Sequence, residues 1–159
     1  MEQVARIKRL KHFSVAHSRT TAAGIKFFEG HPNLESFSVG EMANGHVTET
    51  AIASIAKMPK LTRVGFHEAV VSYDNGFKHL APMKGRLKEL DLSMSLVSTA
   101  DLEKVKTDHP GLKVTTLPVA EIVKRHRGVA QNLARTAPPE LAKELKAALD
   151  ASPVPVPKK

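Results

Sequence analysis

The chain has 159 residues, enough for one domain with a substantial core. It has no cysteine, which excludes disulfides, thiolate catalysis and zinc–thiolate sites, and its aromatic content of 4% leaves core packing to aliphatic side chains. The formal net charge is +8, which favours anionic partners in general.

Five leucines begin similar segments, at spacings of 24, 27, 26 and 25 residues. They are Leu10, Leu34, Leu61, Leu87 and Leu112. The first four each begin an apolar trio, and the trios are Leu10-Phe13-Val15, Leu34-Phe37-Val39, Leu61-Val64-Phe66 and Leu87-Leu90-Leu92. Alternating apolar residues predict short strands with one buried face. This period predicts a solenoid of parallel strands, because no single repeat can bury its apolar face alone.

Each of the first four trios is followed by a helix-like stretch and then by a return turn. The stretches cover residues 22–30, 49–57, 75–81 and 99–108, with apolar residues at helical spacing. The turns contain proline or glycine, which end a helix, and they read His31-Pro32-Asn33, Met58-Pro59-Lys60, Met83-Lys84-Gly85-Arg86 and His109-Pro110-Gly111.

The best copy of the repeat is Leu87-Lys88-Glu89-Leu90-Asp91-Leu92-Ser93, followed by Val97-Ser98-Thr99-Ala100-Asp101-Leu102. Its helix entry recurs as Val47-Thr48-Glu49-Thr50-Ala51-Ile52 and Thr21-Ala22-Ala23-Gly24-Ile25. On these motifs the chain resembles leucine-rich repeat proteins of the longer-repeat, helix-backed bacterial type, as in planctomycetes. The resemblance implies an α/β fold, a right-handed solenoid with a parallel concave sheet and convex helices. It also implies protein binding as the usual role, with no catalytic residues.

Residues 1–117 are expected to form the repeat array, with about four full repeats and partial ones at each end. Residues 1–9 are similar to the end of a preceding repeat's helix, which favours a segment of a longer protein. Counting from Leu112, Thr115 stands where the repeat pattern requires an apolar residue, so the fifth segment departs from the pattern.

Residues 118–151 are expected to form an α-helical C-terminal extension. A basic helix over 119–127 should cover the fourth repeat with Val119, Ile122 and Val123. A second helix should begin near Pro139, with a leucine stripe at Leu141, Leu145 and Leu149. The stripe either packs on the array or the first helix, or docks on a partner or a second copy. Residues 152–159 are expected to be a disordered tail.

The polar residues between the apolar ones predict a binding surface on the concave sheet. The candidate positions are His12, Ser14, Ser36, Ser38, Arg63, His67, Glu89 and Asp91. Arg63 is the strongest anchor among them, because interface hot spots are enriched in Trp, Tyr and Arg. The other interpretation of this face is a solvated sheet surface with no partner.

Nucleic acid, or another anionic surface bound without sequence specificity, is the alternative partner. Basic residues cluster near both ends of the array, and Lys124, Arg125 and Arg127 are the candidate contacts at the C-terminal end. A base-reading platform is not predicted, because stacking aromatic residues are nearly absent.

Catalysis and cofactor binding are not expected from the motifs. The serines lack a nucleophile-elbow pattern, and the glycines form no phosphate loop. His12, His17 and His67 could approach one another near Glu41 or Glu68, but their spacing does not require a metal. The chain has no apolar run of about 18 residues and no signal-peptide core at its start, which favours a cytoplasmic location.

Overall fold

The structure, a computed structural model, describes residues 1–16, 18, 20–40 and 48–152. Its strands are β1 (His12–Val15), β2 (Ser36–Gly40), β3 (Arg63–Val70), β4 (Glu89–Leu96) and β5 (Lys113–Thr116). Its α-helices are α1 (Glu2–Ala5), α2 (Ala22–Lys26), α3 (Glu49–Ala56), α4 (Thr99–Asp108), α5 (Val119–Arg125), α6 (Arg127–Ala134) and α7 (Pro139–Ala151). A 3-10 helix covers Phe77–Met83.

The five strands form one parallel sheet, and their order in the sheet is their order in the chain. Each strand is linked to the next through a helical segment, as parallel neighbours require. The chain is therefore α/β, with an open five-stranded parallel sheet and helices. This confirms the coarser part of the predicted fold class.

Residues at equivalent places in the sequence repeats pair across the sheet. Phe37 pairs with Phe13 on one side and with Val64 on the other, and Val64 pairs in turn with Leu90. Phe37 and Leu90 are completely buried, whereas Phe13 on the edge strand is half-buried. The apolar trios thus form the main core, since a strand flanked on both sides by its neighbours buries its whole inner face.

Three helices behind the sheet begin at hydroxyl residues. The side-chain oxygens of Thr21, Thr48 and Ser98 each accept a hydrogen bond from the amide three residues later. Each bond satisfies one of the N–H groups that a helix start leaves free. The sequence therefore determines where α2, α3 and α4 begin.

The helix predicted over 75–81 forms differently. It begins after Gly76, without a side-chain cap, and it includes Pro82. Proline has no amide hydrogen and disfavours a continued α-helix, so the segment is a 3-10 helix over Phe77–Met83. The stretch predicted over 22–30 also departs from expectation, since α2 ends at Lys26.

In β3 and β4, the alternation of core-facing and outward-facing side chains reverses part-way along the strand. The pairing between them shifts twice, between Gly65 and His67 and again between His67 and Val70. A bulge adds one residue to one strand, so side chains beyond it point to the opposite face. Ala69 stays in the main core, whereas Val70 and Leu96 join a separate apolar cluster. The carboxyl ends of both strands therefore carry an apolar patch on the face opposite the main core.

The three C-terminal helices cover this patch. The second cluster joins Val70 and Leu96 to buried residues of the helices, which are Ile122, Val123, Ala130, Leu133, Leu141 and Leu145. Helix α6 contacts β3 directly, and α5, α6 and α7 contact one another. Leu141 and Leu145 of the α7 stripe are thus buried within the protein and Leu149 is half-buried, as one of the two interpretations of that helix expected.

Two sequence predictions near the C-terminal end are wrong. The helix expected over 119–127 ends at Arg125, and a helix that was not predicted, α6, begins at Arg127. The fifth strand is shifted by one residue, because Leu90 pairs with Val114 and Asp91 pairs with Thr115. Thr115 therefore faces outward and takes no place in the core. The predicted tail lies outside the described residues from residue 153 onward.

The buried histidines of two equivalent return turns, His31 and His109, differ in their hydrogen bonding. Nε2 of His31 donates a hydrogen bond to the backbone oxygen of Ile7, 3.1 Å away. His109 is also buried, at 3% exposure, yet neither ring nitrogen has a hydrogen-bond partner among the described residues. Burial lowers the pKa of His109, an effect that Asp108 partly opposes and Lys84 reinforces.

Replacing His109 with Met should therefore reduce the loss of stability in acid. At pH values above the unfolded pKa of about 6.5, the ring is neutral in both states and stability is complete. As the pH falls below that value, the unfolded chain takes up the proton first, so wild-type stability declines. Met58 is completely buried at the equivalent turn position, so His109→Met should fit the site.

Urea unfolding near pH 7 and near pH 5 measures this effect. The matched control is His126→Met, at an exposed histidine. An acid-induced loss that is equal in His109→Met and wild type would contradict the assignment.

Candidate functional site

Two rows of polar residues cross the face of the sheet opposite the main core. Across β1 to β5, the first row is His12, Ser36, Arg63, Glu89 and Lys113. The second row is Ser14, Ser38, Gly65, Asp91 and Thr115. Parallel strands lie about 4.8 Å apart, so each row spans about 19 Å. We call these two rows the polar face.

Seven of the eight predicted site residues lie in these rows, and the structure adds Lys113 and Thr115 to them. His67 lies further along β3, where it pairs with Gly40 on one side and with Met94 on the other. His67 is thus beyond the second row, nearer to the C-terminal helices that cover the end of β3.

The first row is the more exposed and carries most of the charge. His12, Arg63, Glu89 and Lys113 are exposed, and Ser36 is half-buried. Within the described part of the chain, no ion pair joins Arg63 to Glu89 or to any other acid. The Arg63 guanidinium is therefore available for a partner's carboxylate.

A positive potential at this edge affects a neighbouring acid. Glu35, directly before β2, forms an ion pair with Lys11 at 3.1 Å. The hydrogen bond and charge of Lys11 lower the pKa of the Glu35 carboxyl, and the charges of His12 and Arg63 lower it further. Two members of the first row thus act on an acid that lies beside them.

The centre of the polar face is closely packed. A Cβ atom on Gly65 would lie 2.7 Å from Oγ of Ser38 and 3.4 Å from Nε2 of His67. A Cβ atom on Gly40 would lie 3.3 Å from Cβ of His67. Both glycines thus leave room for the histidine to lie over the sheet. Sequence reasoning missed this role, although a glycine in each of two adjacent strands is a usable signal.

Ser38 has an unsatisfied hydroxyl. Its Oγ atom is buried and has no hydrogen-bond partner among the described residues. Nearby in the same row, Asp91 accepts a hydrogen bond from the Ser93 amide at 3.0 Å, which fixes its carboxylate. A buried polar group without a hydrogen-bond partner is costly in free energy. A ligand that formed a hydrogen bond with the Ser38 hydroxyl would remove this cost and bind more tightly for it.

The predicted anionic-surface contacts lie on α5 and at the start of α6. Lys124 and Arg125 both approach Glu121, at 3.9 and 3.1 Å. Arg127 is half-buried, and its Nη1 donates hydrogen bonds to the backbone oxygens of Leu149 and Ser152. These oxygens lie at the end of α7, where a positive charge is favourable to the helix dipole.

Replacing Arg127 with Ala should lower the free energy of unfolding by about 1–2 kcal/mol, because the last carbonyls of α7 lose a charged donor. Thermal or urea melts measure the change. The control is Arg125→Ala, whose exposed pair with Glu121 should contribute less than about 0.5 kcal/mol. Equal melts for the two variants would contradict a structural role for Arg127.

A histidine metal site is not found in the part of the chain that the structure describes. His17 and Glu41 lie outside the described residues, and no group of three or more potential ligands forms among the others. Within the same residues, no helix has both the length and the apolar character needed to cross a bilayer.

Comparison with known proteins adds no relative from which a function could be transferred. No family model matches the chain, and no curated protein matches it. The functional argument therefore depends on the chain's own residues.

Proposed function

We propose that the chain is a short right-handed leucine-rich repeat solenoid that acts as a non-catalytic protein-interaction module. The parallel order of the strands and the pairing of equivalent repeat positions support the solenoid. The hydroxyl caps at the equivalent starts of α2, α3 and α4 support a repeated structural unit. In such an array the concave side of the sheet, which faces away from the core, is the usual binding surface.

The polar face is the proposed binding surface. The observation that carries this proposal is the first row, in which four exposed ionisable residues lie in register on neighbouring strands. Arg63 lies near its centre, and the Ser38 hydroxyl, which has no partner among the described residues, lies in the adjoining row. Arginine is a frequent hot-spot residue, because its planar group makes several directed hydrogen bonds.

The alternative function is attachment to nucleic acid or another anionic surface through the C-terminal basic residues. The contacts of these residues favour it less. Lys124 and Arg125 share one acid, and Arg127 is bonded to the end of α7. Only part of the charge in this run is therefore free for a ligand.

Charge reversal at Arg63 tests the proposal. Arg63→Glu should leave the melting temperature almost unchanged, because the side chain is exposed and unpaired among the described residues. It should weaken binding of a protein partner by about 1 kcal/mol or more, the order of effect expected for an interface arginine. Immobilised wild-type and variant proteins would be compared for the proteins that they retain, followed by titration of the purified partner.

Arg125→Glu is the matched control, since it reverses the same charge on the C-terminal helices. A partner held by wild type and by Arg125→Glu, but lost with Arg63→Glu, would support the polar face. Loss with Arg125→Glu alone would refute it and favour the anionic-surface function.

A further inference from the structure

The excess positive charge of the molecule is concentrated where the strands begin. The return turns and the residues that lead from them into the strands form what we call the amino-end strip, which comprises residues 8–12, 31–36, 58–63, 84–89 and 109–113. The strip contains nine lysine or arginine residues and two glutamates, out of 24 basic and 16 acidic residues in the chain. The remaining residues are therefore nearly neutral, with fifteen basic and fourteen acidic side chains.

Backbone contacts show that the strip is continuous. The backbone oxygen of Lys11 accepts hydrogen bonds from the Glu35 and Ser36 amides, and the oxygen of Lys88 accepts one from the Lys113 amide. In the turns, the Asn33 side chain donates to the backbone oxygen of Lys8 and accepts from Nζ of Lys60. Residues far apart in the sequence thus lie side by side along one edge of the sheet, and the last residue of each segment belongs to the first row of the polar face.

Few of these charges are neutralised by other residues that the structure describes. Lys8, Arg63, Lys84 and Lys113 are exposed, and their side chains form no ion pair or hydrogen bond with another described residue. Lys60, Lys88 and Arg86 donate to uncharged oxygens, of Asn33, Gly85 and Ala56 respectively. Lys11 pairs with Glu35, which leaves Glu89 as the strip's other acid. Such a concentration of one sign attracts an anionic ligand and raises its association rate.

We propose that the amino-end strip binds an extended acidic segment of a protein partner, an inference that rests on the proposed protein-binding function. The strip crosses five strands, or about 19 Å, and an extended peptide covers this length with about six residues. Its side chains on one side repeat about every 6.7 Å, so three carboxylates would face the strip at once.

Two features favour an acidic peptide over nucleic acid. All residues of the strip are described, and none is Phe, Tyr or Trp, so the strip lacks the large aromatic side chains on which bases usually stack. Glu35, directly before the second strand, and Glu89, on the fourth, also interrupt the positive charge. They would repel an evenly charged phosphate backbone, whereas a peptide can place neutral or basic residues opposite them.

The probe is a labelled synthetic peptide of about twelve residues in which Glu alternates with Ser, and fluorescence anisotropy measures its binding. A Gln–Ser peptide and oligo(dT) of equal length are the comparison ligands. The strip variant is K8Q/K84Q/K113Q, chosen because these side chains form no ion pair or hydrogen bond with another described residue. The control variant is K26Q/K78Q/K143Q, which removes the same charge from exposed positions elsewhere.

The acidic peptide should bind wild type and the control with similar affinity and should bind the strip variant about tenfold more weakly. Added salt should weaken the binding, and the Gln–Ser peptide should not bind. An equal loss in both variants, or no binding of the acidic peptide, would overturn the inference. Stronger binding of oligo(dT) that is lost in the strip variant would assign the strip to nucleic acid instead.

The outcome is distinguishable from failure of the proposed function. A protein partner lost with Arg63→Glu but held equally by the strip variant and wild type would leave protein binding by the polar face intact. It would show that the partner does not bind through acidic residues placed along the strip. The opposite result is also possible. If the strip variant lost the acidic peptide but no protein were retained in an Arg63-dependent way, the strip proposal would hold and the proposed protein-binding function of the polar face would fail.

Discussion

Replacing Leu90 with Ala should lower the free energy of unfolding by about 2–5 kcal/mol, the range for large-to-small changes in a packed core. Leu90 is completely buried, and it lies between Val64 of β3 and Val114 of β5 in the centre of the main core. The cavity left by the substitution adjoins two strands, so neighbouring side chains cannot easily fill it. Urea unfolding followed by circular dichroism measures the change.

Leu102→Ala is the control for this experiment. It makes the same chemical change at a half-buried position of α4, on the edge of the main core. It should cost clearly less, because less surface returns to water. Equal stability of Leu90→Ala and wild type would show that the repeat register is not the one described.

Replacing Leu145 with Ala should also cost about 2–5 kcal/mol of local stability, but in a different part of the protein. Leu145 is completely buried in the second cluster, which joins α5, α6 and α7 to the ends of β3 and β4. The cluster is separate from the main core, so the C-terminal helices should open before the sheet does. Hydrogen exchange should show faster exchange in α5–α7 and nearly unchanged exchange in β1 and β2.

Leu149→Ala provides the matched comparison, because Leu149 is half-buried near the end of the same helix. Its effect on exchange should be smaller. If Leu145→Ala accelerated exchange equally in β1 and in α7, the two clusters would unfold as one unit. The separation described above would then be incorrect.

The repeat pattern predicted which strand residues face the core and how the strands are aligned with one another. Alternating residues such as Leu90 and Leu92 can point to a core only in one register, and equal spacing brings equivalent residues together on adjacent strands. The same periodicity predicts that Arg63 lies beside Glu89 and that Ser38 lies beside Gly65, as the strand pairing confirms. Apolar residues at helical spacing and the return turn that follows them predicted α4 over its whole length, residues 99–108.

The bulges, and the helices that depend on them, could not be predicted. Nothing in the sequence around Glu68 marks a bulge, although its backbone is left-handed, with φ +55°. Without that bulge, the side chain of Val70 would not reach the outer face. The apolar patch on which α6 packs could therefore not be predicted from the sequence. The extent of the basic strip was missed for a related reason. Lys8, Lys60 and Lys113 come together only through strand pairing, because they are far apart in the sequence.

In the proposed repeat array, the bulges in β3 and β4 would also limit changes in length. Repeat arrays commonly grow or shrink by duplication or loss of a unit, because each unit contacts only its neighbours. Here the C-terminal helices pack on two adjacent units at once, through Val70 and Leu96. An extra unit between β3 and β4 would move these residues about 5 Å further apart and divide the apolar patch. New units could therefore be added beyond β1 at far lower cost, so we expect the N-terminal side of the proposed array to tolerate variation in repeat number.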